Sequence, residues 1–423
     1  MRRIHIAALL AALAVVVLVA VKLVLPSLFQ PAPPEQEQTD PGDKAVPERD
    51  IRTVTLKAVG GLYPNLDILN ENRRDDGEYD FWPAFEFIAP HFQDAEIAML
   101  TLETMQAGPK IDLWNISGYT GHTTRTVLTF NAPIELSRAL KKAGISLYSL
   151  ANNHCLDRNV KGLQATLENV RDLGFHTTGA YLSEEEQDAV DMVKINGIKV
   201  AFVAYTYWTN GIPVPAGSEY ALNLIPNDPD PEFGDISPIV ADIKKARAAG
   251  ADLVAVVPHW GEQYVDAPFE RQREAAREMA AAGADMILGG HPKYVQPCEW
   301  IERPGEDGAA RSVPVIYSLG NFYTDQHYPS CPSDLVEYGM LLTVELSKDM
   351  DSGEAWVSAV DYDIHWCHRS RRHRMLVLSD VFEKPEQFSL DRSQLEKLKE
   401  KHRENVEIIE RYGFSDNKPA GIK

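Results

Sequence analysis

Four short stretches of this 423-residue chain carry side chains able to hold a metal ion or move a proton: Leu102-Glu103, Asn152-Asn153-His154, His259-Trp260-Gly261-Glu262 and Gly289-Gly290-His291-Pro292-Lys293. Each offers a carboxylate, an amide or an imidazole just after an apolar run that reads as a strand. Neutral imidazoles suit zinc, iron or manganese, which makes His259 and His291 candidate ligands. The amide oxygen of Asn153 and the carboxylate of Glu103 complete a candidate set for a divalent metal. His154 is placed to protonate a leaving group, with Asp157 three residues on to hold its ring. Asn152, Glu262 and Lys293 are candidates for substrate contact or for charge around the site. Gly289 and Gly290 leave room for the backbone to approach a ligand. Taken singly, each has an ordinary structural alternative: an Asn that caps a helix, a hydrogen-bonded His, a surface carboxylate. Their repeated placement at strand ends favours convergence on one cleft, the construction of a metal-dependent hydrolase.

The elements that must hold these residues follow from the apolar patterning. Strands are predicted at Val54–Val59, Ile97–Leu100, Leu147–Leu150, Val200–Tyr205, Leu253–Val257, Met286–Leu288, Val313–Leu319, Leu341–Leu346 and Val357–Tyr362. Helices are predicted from Pro133 to near Gly144, over Leu163–Leu173 before Gly174, over Ile236–Ala249 before Gly250, and over Glu270–Ala282 before Gly283. Helix, glycine, strand in alternation is the pattern of a layered α/β fold. A charged, amphipathic helix over Gln394–Tyr412 reads as a surface helix packed on one stripe. Asn210–Gly217, with Pro213 and Pro215, reads as a long loop lining the cleft.

The compartment is set at the amino end. Met1-Arg2-Arg3 precedes an apolar run from Ile4 to Val21, long enough to span a bilayer, and the arginines favour a cytoplasmic start. An uncleaved anchor over 1–29 is the expectation, with a cleaved signal peptide as the rival reading. Either way the body faces outside the cytoplasm. The proline-rich, acidic stretch 30–50 reads as a disordered linker, 51–365 as the main domain and 366–423 as a helical extension. A net charge of −20 disfavours nucleic acid as a partner. Cys155, Cys298, Cys331 and Cys367 form no CxxC pair, so two disulfides and four thiols both stay open.

Several stretches together resemble the CapA family of bacterial poly-γ-glutamate capsule synthesis proteins, which are similar to calcineurin-like metallophosphatases. They are Tyr79-Asp80-Phe81, Thr101-Leu102-Glu103, Phe130-Asn131-Ala132-Pro133, Leu150-Ala151-Asn152-Asn153-His154, His259-Trp260-Gly261-Glu262, Gly290-His291-Pro292 and Tyr317-Ser318-Leu319-Gly320-Asn321-Phe322, spread over about residues 53–347. The resemblance implies a four-layer αββα sandwich with the site at one edge of two packed sheets. It also implies a role in capsule or poly-γ-glutamate synthesis or export, with synthase subunits as partners. Two positions depart from the family pattern. Gly61 stands where an aspartate belongs, and Lys293 replaces the second histidine of Gly-His-Pro-His. In two-metal phosphatases of this type those positions serve one ion, while Glu103, Asn153, His259 and His291 serve the other. The expectation is a single divalent cation (Mn, Fe or Zn), with the Lys293 ammonium partly replacing the second. Besides the capsule role, two alternatives follow: a phosphoesterase-type hydrolase of a cell-envelope substrate, and a non-catalytic binding subunit.

Overall fold

The computed structural model describes residues 49–111, 118–124, 127–226, 234–305, 308, 310–369 and 372–414. The anchor expected over 1–29 and all but the last two residues of the linker lie outside the described residues. Among the described residues no helix is long and apolar enough to cross a membrane.

The strands in chain order are β1 (Ile51–Leu62), β2 (Ile97–Leu102), β3 (Thr120–Thr124), β4 (Val127–Asn131), β5 (Leu147–Ser149), β6 (His176–Thr178), β7 (Met192–Ile195) and β8 (Ile198–Thr206). They continue as β9 (Leu253–His259), β10 (Met286–Leu288), β11 (Cys298–Pro304), β12 (Ala310–Ile316), β13 (Asn321–Tyr323), β14 (Tyr338–Asp349), β15 (Ala355–His368) and β16 (Arg374–Val377). One sheet runs β16-β15-β14-β1-β2-β5-β6, with β13 added beside the end of β1. A second runs β11-β12-β10-β9-β8-β7, and β3 and β4 form a separate hairpin.

The alternation along β8 shows how the layers form. Val200, Phe202 and Ala204 join the apolar cluster that includes Leu56 and Ala58 of β1. Ala201, Val203 and Tyr205 pack instead with Ile239 and Ile243 of helix Ser237–Ala248 and with Ala276 and Met279 of helix Glu270–Ala282. Side chains that alternate along a strand thus serve two cores. β9 is buried from Leu253 to His259, and its sequence is apolar until His259 closes it. Helices Glu135–Ala143 and Asn159–Asp172 add Leu136, Leu140, Leu163 and Leu167 to the first cluster, and Tyr148 Oη of β5 meets Ser137 Oγ at 2.9 Å. Two sheets with helices packed against them make a layered α/β fold, as expected.

One expectation changes and one open alternative closes. The boundary between residues 365 and 366 falls inside β15, whose ladder with β16 continues to His368 paired with Arg374. The final stretch therefore adds sheet before its helix, Arg392–Ile409. The cysteines are four buried free thiols. Burial pushes the Cys367 thiol up to about 12 and those of Cys155 and Cys298 higher still, so they behave as small apolar groups.

Candidate metal centre

β1, β2, β5 and β6 run parallel in one sheet, and β8, β9, β10 and β12 do so in the other. Their carboxyl ends are where the candidate residues lie. Glu103 directly follows β2, Asn152 to His154 lie just beyond β5, His259 closes β9, and His291 follows β10. A crossover at a parallel strand's carboxyl end leaves its loop free to line a crevice, because the strand itself is committed to the core.

The four proposed ligands meet. His259 Nε2 stands 2.9 Å from Asn153 Oδ1, 3.1 Å from His291 Nδ1 and 3.9 Å from Glu103 Oε2. All four side chains are buried. Donors bonded at about 2.0–2.2 Å to a shared ion stand roughly 3–3.5 Å apart, so the first two spacings already suit a common cation and the carboxylate needs only a small shift. Among the described residues no three His, Cys, Asp or Glu side chains form a metal cluster. The third such group here is the Glu103 carboxylate, which is drawn to Lys293, and the fourth donor is an amide. Burial, then the neighbouring His291, Lys293 and His154, holds His259 well below the usual histidine range. Burial, Lys293 and His154 do the same to His291. Both rings are therefore neutral at pH 7, the form that binds metals. Among the described residues His259 Nδ1 finds no hydrogen-bond partner, a buried orphan of the kind that costs about 1–3 kcal/mol. His291 also holds a left-handed backbone, with φ of 101°. Non-glycine residues kept there, at a cost of order 1–3 kcal/mol, cluster at functional sites.

The two departures from the family pattern meet on a single carboxylate. Glu103 Oε2 accepts from Lys293 Nζ at 2.5 Å, and both side chains are almost wholly buried. Glu103 Oε1 occupies the space a Cβ at Gly61 would need. Lys293 Nζ also lies over the Tyr63 ring, 4.1 Å from its centroid. Gly61 is small because Glu103 fills the room beside it. Gly289 is small for a different reason than expected: Tyr317 O and the Trp260 indole, rather than a ligand, stand where its Cβ would be.

His154 and Asp157 pair as expected, with Nδ1 donating to Oδ2 at 2.8 Å. Burial raises the Asp157 carboxyl, while His154, the Phe130 N–H and Arg158 oppose that rise. Asn152 has a structural task. Its Nδ2 donates to Leu102 O and Leu150 O, and its Oδ1 accepts from the His154 N–H, so it ties β2 to the loop after β5. Glu262 is exposed, and burial, then the Glu262 and Glu103 charges, raises the Tyr207 phenol.

Three participants escaped sequence reasoning. Tyr207 Oη lies 2.9 Å from His291 Nε2. Asn210 Oδ1 accepts from Asn153 Nδ2 at 2.8 Å, and its Nδ2 lies 3.3 Å from His154 Nδ1. Tyr63 donates to Asn321 Oδ1 or Gln326 Oε1 beneath Lys293. Asn210 does lie in the loop expected to line the cleft. The two tyrosines carry no pattern that separates them from core aromatics.

A family model described as bacterial capsule synthesis protein PGA_cap matches residues 48–326, and the chain belongs to that family. It is similar to the PGA biosynthesis protein CapA of Bacillus subtilis (strain 168), 31% identical over 207 residues that cover 48% of this chain and 49% of the relative. It is also similar to the capsule biosynthesis protein CapA of Bacillus anthracis, 32% identical over 212 residues covering 49% and 47%. The chain spans about half the length of these curated relatives. A solved phosphatase structure from Mycoplasma pneumoniae aligns with 10% identity over 74% of this chain and 94% of its own, at a TM-score of 0.39. A score that low carries no argument.

Proposed function

We propose that this chain serves capsule or poly-γ-glutamate synthesis or export as a membrane-anchored protein working outside the cytoplasm, through a cleft that holds one divalent cation beside the Lys293 ammonium. Family membership and the Bacillus relatives support the polymer role. One observation supports the form of the site: Gly61 and Lys293 converge on Glu103, so a fixed ammonium stands beside the four-residue ligand set. Synthase subunits are the partners this role requires.

Glu103, Asn153, His259 and His291 would hold the cation. When bound, such an ion polarises a substrate oxygen and lowers the pKa of a bound water. The chain's own residues supply the rest. Lys293 contributes one positive charge without needing to bind a second ion, and Asp157 holds His154 in one orientation. With Nδ1 committed to Asp157, Nε2 of His154 is the nitrogen left to protonate a leaving oxygen. That pair is the observation favouring a second reading, hydrolysis of a phosphoester in the cell envelope. An ammonium in place of a second ion makes the site a weaker hydrolase than a two-ion clamp.

Deletion of the gene and complementation test the proposal, alongside metal analysis of the purified chain. The unaltered chain is expected to restore polymer and to carry close to one metal per chain, and His259→Ala to do neither. Two metals per chain would refute the single-ion site. Full restoration of polymer by both His259→Ala and His154→Ala would show that the cleft has no part in the role.

A further inference from the structure

The four ligands face one another, yet three of them, Asn153, His259 and His291, are ambiguous by nature. An Asn amide presents an oxygen or a nitrogen depending on a half-turn, and a neutral imidazole presents a lone pair on one nitrogen only. Something outside the ligand set must choose. Resting on the cation site proposed above, we propose that the segment Tyr207–Asn210 makes that choice, with Asn210 and Tyr207 as positioning residues for Asn153 and His291.

The segment follows β8 and is pinned to the site's own framework. The Tyr207 N–H donates to His259 O at 3.2 Å, and Thr209 Oγ1 donates to Ile212 O at 2.6 Å. From this base two side chains turn inward. Asn210 Oδ1 takes the Asn153 Nδ2 hydrogen at 2.8 Å, and that bond leaves Asn153 Oδ1 facing His259 Nε2 at 2.9 Å. Rotating the Asn153 amide would set a carbonyl oxygen against Asn210 Oδ1 and aim an N–H at the cation position. Tyr207 Oη, 2.9 Å from His291 Nε2, can accept a hydrogen from that nitrogen, which frees Nδ1 for a metal. A ligating histidine ordinarily has its second nitrogen held this way. Asn210 sits at φ of 53°, a left-handed conformation that Asn, Asp and Gly tolerate best, so its backbone is matched to its task.

The test is Mn2+ titration of the full chain by calorimetry, with urea unfolding of the metal-free proteins as a control on folding. Asn210→Gly keeps the backbone freedom and removes the amide; Tyr207→Phe removes one oxygen. Each is expected to weaken Mn2+ binding by about 10–100-fold, the usual effect of losing a partner behind a ligand, while Asn210→Asp, which still accepts from Asn153, stays within about threefold. Should Asn210→Gly fail to fold, Tyr207→Phe decides. Unchanged affinity in both Asn210→Gly and Tyr207→Phe overturns the inference while leaving the cation site standing. Equal losses in Asn210→Asp and Asn210→Gly overturn the role assigned to its acceptor oxygen. Absence of Mn2+ binding by the unaltered chain overturns this inference and the site together.

Discussion

Lys293 and Glu103 are separated by 190 positions in the chain and joined at 2.5 Å in the fold, with no solvent to dilute the pair. A buried ion pair is a poor source of net stability, because desolvating both charges offsets most of their attraction. Breaking it is another matter, since the surviving charge is stranded. Gly61→Ala probes this without touching either partner. Its methyl group would displace Glu103 Oε1 and drag the carboxylate from Lys293. A loss of about 3–5 kcal/mol in urea unfolding is expected, as for removal of one member of a buried pair. Lys293→Met in the same background should recover part of that loss, since it removes the stranded ammonium. If Gly61→Ala unfolds like the unaltered chain, the carboxylate has room the geometry denies it.

Short elements around the site do work that their length conceals. The β3–β4 hairpin ends at Asn131, whose buried amide accepts from the Ala107 N–H and donates to Gly108 O and Gly118 O. The neighbouring Phe130 N–H donates to Asp157 Oδ2 at 2.6 Å. One strand end therefore ties down Ala107, Gly108 and Gly118 together with the carboxylate that holds His154. Asn131→Ala leaves three backbone groups short of a partner, at about 1–3 kcal/mol for those that cannot reach water. The expected outcome is a lower unfolding midpoint in urea and faster proteolytic cleavage close to Gly108 and Gly118. A variant as protease-resistant as the parent would show that the loop is held by other means.

The whole molecule carries a pH dependence written into its buried imidazoles. His365 of β15 is enclosed with neither ring nitrogen hydrogen-bonded, and burial lowers its pKa to about 3. The folded ring stays neutral down to that value, whereas the unfolded ring takes a proton from about pH 6.5. Stability from this residue is fully present above about pH 6.5 and lost as pH falls toward 3, by up to about 5 kcal/mol. Metal-free His259 and His291 act in the same direction. Asp191, raised to about 6 mainly by burial, acts oppositely, because its folded form holds a proton that the unfolded form releases. The raised carboxyls of Asp157 and Glu337 act with Asp191, while the lowered carboxyls of Asp94, Asp325 and Asp334 act with the three imidazoles, and the metal-free protein is predicted to lose stability between pH 7 and pH 4. His365→Phe should flatten that slope in urea titrations at each pH. An unchanged slope would mean that His365 reaches water.

The sheet strands that lead to the site were readable in advance because each is buried on both faces, and such strands must be continuously apolar until they leave the core. The first polar side chains beyond them, Glu103, Asn153, His154, His259 and His291, were marked by that change alone. The tight register of Asn-Asn-His before Asp157 likewise gave the hydrogen-bonded His154–Asp157 pair, since three residues are local enough for spacing to settle. Some short strands were not readable: β3, β6, β13 and β16 hold five residues or fewer, too few for a period to declare itself, whereas β5 and β10, just as short, were marked by their apolar runs. Nor were Tyr207, Asn210 and Tyr63, whose partners lie 56 to 263 positions away. The departures at Gly61 and Lys293 were visible as two substitutions that the family resemblance assigns to one ion. That they share one carboxylate depends on which side chains come to fill the same small volume, and volume is a property of packed chains, absent from any stretch of sequence.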